Sequence, residues 1–207
     1  MLAPNAKPSM SPTIAQKIRW LSATTIAALA LVLPGLLLLT GPLFAQDSGG
    51  TRLRANLRGF AEVPSKSTPA TGKFHATISE DGSSITYELT YSGLVADALF
   101  SHIHFAQKGV AGGIVVYLCS NVATNPNPPF PPGIQPQSCP LRAGTITGTL
   151  TNADVTTGAA AQGISPGTGE FAKLIEAIRE GVAYVNVHST TFPPGEIRGQ
   201  IRVLNKL

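Results

Sequence analysis

The chain has 207 residues and only four histidines, and two of them stand one residue apart in "SHIHFAQKG". These are His102 and His104. In an extended strand, residues i and i+2 point to the same face, so both imidazoles project together. An H-x-H pair on a strand plus one distant histidine is a way to build a three-imidazole metal site for copper or zinc. His188, in "AYVNVHS", is the distant candidate. Glu196 and Arg198 alternate in "GEIRGQIRV", and Glu62 closes the first strand in "AEVP". Together these residues read in three ways: as metal ligands, as a hydrogen-bonded polar network that pins strand register, or as a binding surface without metal. A carboxylate and a guanidinium two apart suit the network, because a bidentate pair needs a fixed partner.

Catalytic patterns are scarce. Ser101 precedes His102, but neighbours in a strand face opposite ways, so they make no nucleophile–base pair. No HExxH or phosphate-cradling glycine loop occurs. The reading leans away from an enzyme. Metal-dependent redox chemistry remains only as a companion of the metal alternative.

The elements that must position these groups are mostly strands. "RLRANLRGF" alternates, with Leu53, Ala55 and Leu57 on one face. Arg52, Arg54 and Arg58 on the other face are either a solvated surface or a basic stripe for an acidic polysaccharide. "GKFHATISEDGSSITYELTYSG" predicts a hairpin turning at "EDGS". "ALFSHIHFA", "GIVVYLC" and "GTITGTLT" follow as strands. In "GEFAKLIEAIREG" the period changes. Phe171, Leu174, Ile175 and Ile178 fall on one helical face, with Thr168 as expected N-cap and Gly181 just past the end. The last two strands, "AYVNVHS" and "GEIRGQIRV", are joined by "TTFPPG" and so become hairpin neighbours. The expected fold is all-β: an antiparallel β-sandwich or small barrel of about eight strands with one short helix.

Residues 1–45 read as a secretory signal, with Lys7, Lys17 and Arg19, an apolar run from Trp20 to about Thr40, and "GPLFAQDS". An uncleaved anchor is the other reading of this segment. Residues 46–50 are a linker and 51–207 the domain. Of 15 Lys and Arg, three lie in the leader, and none of the 11 acids does, so the remainder is nearly neutral. No nucleic-acid footprint follows, and no membrane contact beyond the leader. Cys119 and Cys139 bracket a Pro- and Asn-rich loop, and an even pair outside the cytoplasm reads as a disulfide. The expected location is secreted or periplasmic.

Four blocks in order, "LRGFAEVP…TPATGKFHATI", "ITYELTYSGL", "SHIHFAQKGVAGGIVVYLC" and "LIEAIREGVAYVNVHSTTFPPGEIRGQI", resemble the CHRD domain. The resemblance covers roughly residues 51–204. It implies an all-β extracellular module, found in chordin and as a single domain in exported microbial proteins, with no settled biochemical activity. In chordin its setting is the binding of bone morphogenetic proteins, and the cysteine-rich modules that accompany it there have no counterpart here. "HIHFAQKG" also resembles the H-x-H copper-ligand segment of copper/zinc superoxide dismutase, whose other ligands have no matching pattern. The function expected is a binding or structural module of the envelope or extracellular space, with an unidentified protein or polysaccharide partner. The alternative is a metal-binding protein holding copper or zinc at His102, His104 and His188.

Overall fold

A computed structural model describes residues 49–122 and 126–204. The signal or anchor segment expected over 1–45 lies outside the described residues, as does most of the 46–50 linker.

Nine strands follow in order: β1 Thr51–Arg58, β2 Thr71–Ile78, β3 Ser84–Ser92, β4 Ala98–Phe105, β5 Gly113–Ser120, β6 Gly144–Thr151, β7 Ala183–Ser189, β8 Ile197–Gln200 and β9 Arg202–Val203. One helix, α1, spans Glu170–Arg179. The strands pair antiparallel in the order β5-β4-β7-β8-β1-β2-β3-β6, with β9 on β1, and form a nearly closed barrel. The ninth strand arises because the expected last strand divides at Ile201, whose N–H bonds back to Ala183.

Alternation builds the core. Leu53, Ala55 and Leu57 of β1, Phe74, Ala76 and Ile78 of β2, and Ile85, Tyr87, Leu89 and Tyr91 of β3 are all buried on one side. The β2–β3 hairpin pairs Ile78 with Ile85 across the expected turn. Ile103 of β4, Val185 and Val187 of β7, and Ile197 of β8 extend the same core. These last strands differ from β1–β3, however. Every residue of β7 is buried, so its second face is covered as well. A strand covered on both sides loses the apolar–polar alternation, and polar side chains on its second face must find partners there.

Helix α1 lays Phe171, Leu174, Ile175 and Ile178 into the core. The expected N-cap is corrected. Gly169, not Thr168, holds that position, in the left-handed region at φ 83°. The Phe171 N–H is met instead by Asn152 Oδ1 at 3.1 Å, which relieves the local sequence of supplying a cap. At the other end Gly181 N–H bonds Ile178 O and Val182 N–H bonds Ala177 O, the paired closure expected beyond a helix end.

Cys119 and Cys139 are bonded. Within the loop they close, Gln137 spans the gap between the two ends of the sheet order. Its carbonyl accepts from Ser120 N–H of β5 at 2.9 Å, and its amide donates to Thr147 O of β6 at 2.8 Å. The Tyr87 hydroxyl adds a bond to Leu118 O at 2.7 Å.

Candidate functional site

The three histidines meet because of strand order and register. Strand β4 lies beside β7, with Phe100 opposite His188, His102 opposite Asn186 and His104 opposite Tyr184. Next comes β8, with Arg198 opposite Asn186 and Gln200 opposite Tyr184. Ile103, Val185, Val187 and Ile197 point to the core, so the alternating residues form a polar patch on the barrel's other face. Loops cover that patch. His102 is 0% exposed, and His104 and His188 are each 6% exposed.

Their ring centroids are 5.0 Å (His102–His188), 5.3 Å (His102–His104) and 6.3 Å (His104–His188) apart. One ring nitrogen from each lies within 4.8 Å of the others. Three such atoms sit within about 2.8 Å of a common point, against metal–nitrogen bonds of ~2.0–2.1 Å. A bound ion would require the three rings to be drawn inward by that difference.

Hydrogen bonds assign the tautomers. His188 Nδ1 donates to Pro193 O at 2.7 Å, and His104 Nδ1 to Gly112 O at 2.9 Å. A carbonyl can only accept, so the proton of each neutral ring sits on Nδ1 and the lone pair on Nε2. His104 Nε2 meets the Asn186 amide at 3.0 Å, the amide's O and N being set by the network. His188 Nε2 has no hydrogen-bond partner, and neither nitrogen of His102 has one. All three rings are held neutral. Burial pushes His102 well below the usual histidine range, with His188 and His104 adding to the effect. Burial also takes His104 to about 4 and His188 to about 3, against the pull of their carbonyl partners.

The remaining candidates are placed as follows. Arg198 lies one ring away from the histidines. Its guanidinium stacks on Tyr184 at 3.3 Å, and Tyr184 stacks on His104 at 4.5 Å with planes 3° apart. Its Nη2 donates to Val110 O at 2.6 Å. Glu196 is directed elsewhere. Its Oε1 accepts from Thr68 Oγ1 at 2.6 Å and Val95 N at 3.0 Å. Glu196 stands just before β8 begins, so strand alternation does not bind its side chain to the face of Arg198. Glu62 is 5% exposed and packs against the Pro193–Gly195 turn, where only a glycine at 195 leaves room for its carboxyl. Burial raises Glu62 to about 7, with the Arg198 charge partly opposing.

The family model of the CHRD domain matches residues 53–201, from β1 through β8. The chain belongs to the CHRD-domain family. No curated protein and no solved structure matches it. The matched span contains every candidate residue above, so the site belongs to the CHRD domain itself.

Within the CHRD domain, three neutral imidazoles converge, two of them, His102 and His188, with nitrogens that have no hydrogen-bond partner. Ser101, the neighbour of His102, turns its Oγ away and bonds Asn186 O at 2.7 Å. Imidazole donors of this kind have the chemistry of copper or zinc ligands. Phe100 and Tyr117 wall His102 at centroid distances of 4.7 and 4.4 Å. Tyr184 and Asn186 share the face of His188, and the period of two in "AYVNVHS" is the signal that places them there. Tyr117 gave no signal, because β5 reaches the site through register shifts against β4.

Proposed function

We propose that this CHRD domain is an exported binding module that holds one copper or zinc ion between His102, His104 and His188. The observation that carries the reading is the set of buried, unpartnered nitrogens: both of His102 and Nε2 of His188. Leaving a buried polar atom without a partner costs ~1–3 kcal/mol, and a bound ion would satisfy two of these atoms. The carbonyl acceptors behind His104 and His188 support it, because ligating imidazoles commonly donate their other N–H in this way. Imidazole donors suit copper and zinc, and copper binds the tighter of the two.

The burial of the triad favours a closed, structural ion over a reacting one. Family membership supports a binding or structural role, and the Cys119–Cys139 bond is consistent with an extracellular location. Cleavage near Ala45 and release outside the cytoplasm complete the reading.

Elemental analysis of untagged protein purified from its native compartment tests it. The expected result is about one equivalent of copper or zinc per chain, lost in His102→Ala. Protein that carries neither metal, and takes up neither on reconstitution, overturns the reading.

A further inference from the structure

A second feature lies where β1 meets β8 and β9. Arg58 stands directly opposite Arg198, and Arg54 directly opposite Arg202. Like charges set opposite each other across strands repel. The two pairs are four residues apart along β1, roughly 13 Å at ~3.3 Å per residue. With Lys108 they line a cleft of about 630 Å³. Among the described residues, none of these five cations forms a salt bridge. One acid lines the cleft, Glu62, which is buried and whose Oε1 has no hydrogen-bond partner. The lining also holds an apolar patch, with Phe60 at 73% exposed next to Val63 and Pro64.

We propose that this cleft binds an acidic polysaccharide chain, with its carboxylate or sulfate groups on Arg58 at one pair and on Arg54 and Arg202 at the other, while the buried Arg198 stays on Tyr184 and Val110 O. Repulsion between the exposed Arg54 and Arg202 is a cost that an anionic ligand removes. No single small anion spans both pairs, so the ligand carries at least two negative groups along its length. Guanidinium forks grip carboxylate or sulfate oxygens bidentately. The exposed ring of Phe60 gives a flat apolar surface for one face of a sugar ring. Nucleic acid shares spaced negative charges and flat rings. The disulfide, which belongs to oxidising compartments, favours the polysaccharide. Arg52, part of the basic stripe read from sequence, stands apart in another cleft with His75 and Glu88. The cleft is independent of the metal reading, since none of the three histidines lines it.

The test is titration calorimetry of the purified protein with alginate oligomers and with dextran sulfate, using neutral dextran as control. The expected result is binding of at least one acidic polymer, none of dextran, and weakening as salt is raised. An Arg54→Ala/Arg202→Ala double variant should bind about tenfold or more weakly with an unchanged melting temperature. Phe60→Ala should also weaken binding, while Arg142→Ala, at a distant salt bridge, should leave it unchanged. The proposal is overturned if neither acidic polymer binds, or if the double variant binds like wild type. It is also overturned if single-stranded DNA or polyglutamate binds as tightly as the better polysaccharide.

Discussion

His188 gives its Nδ1 proton to the carbonyl of Pro193, five residues later in its own chain and 2.7 Å away. The turn that joins β7 to β8 therefore also decides which nitrogen of the ring faces His102 and His104. Hairpin and ligand geometry are set by the same few residues. Metal binding to such a site stabilises the folded state by an amount that grows with the logarithm of free metal concentration over Kd. Wild-type protein should lose several degrees of melting temperature on treatment with a strong chelator. His102→Ala and His188→Ala should melt lower from the start and be indifferent to chelator. Equal melting of the wild type with and without chelator would mean that the cluster is held by packing alone.

Asn186 lies on β7, opposite His102 of β4, and its amide is the partner of His104 Nε2. Asn186→Ala leaves that nitrogen buried and alone. Denaturant unfolding of the metal-free protein should show a loss of ~1–3 kcal/mol. A change below about 0.5 kcal/mol, the range of a neutral surface substitution, would refute the contact.

Glu62 gives a pH dependence with a definite sign. Its carboxyl is raised from 4.5 to about 7 in the folded state, chiefly by burial, while Arg198, Asn186 and Lys66 pull it down. The folded chain thus keeps a proton that the unfolded chain releases, and stability falls as pH rises between about 4.5 and 7. The contribution is on the order of 3 kcal/mol. Glu62→Gln should remove this decline, so the stability of the variant relative to wild type should climb across that window. The buried histidines contribute in both proteins and cancel in the difference. Parallel stability curves would show that the carboxyl is not shifted.

Leu174 is fully buried on the core face of α1. Leu174→Ala should cost ~2–5 kcal/mol in urea unfolding. A negligible cost would mean that the helix stands off the barrel in solution.

The legible parts of this molecule were those governed by local period. The alternation of Leu53, Ala55 and Leu57, the "EDGS" turn, and the helical spacing of Phe171, Leu174, Ile175 and Ile178 all depend on neighbours in sequence. The common face of His102 and His104 was legible for the same reason. What sequence could not supply were partners brought from afar. Asn152 caps a helix that begins 18 residues later, and Glu196 turns to Thr68 and Val95. Tyr117 enters the site only through irregular pairing of β5. The paired arginines likewise depend on β8 and β9 returning beside β1, which no local pattern announces.

The Gln137 bridge has a consequence for how the molecule keeps to itself. Strands β5 and β6 each present a row of backbone groups with no further strand beside them, and such rows are templates for strand addition by a second chain. Strand β6, "GTITGTLT", has no charge and no proline to discourage it, which is the composition of segments that stack into fibrils. Gln137 occupies this opening from both sides, and the Cys119–Cys139 bond tethers it there. Reduction would thus do more than loosen a loop. It would free the guard of two adhesive strands, so oxidation protects the protein from self-association as well as from unfolding.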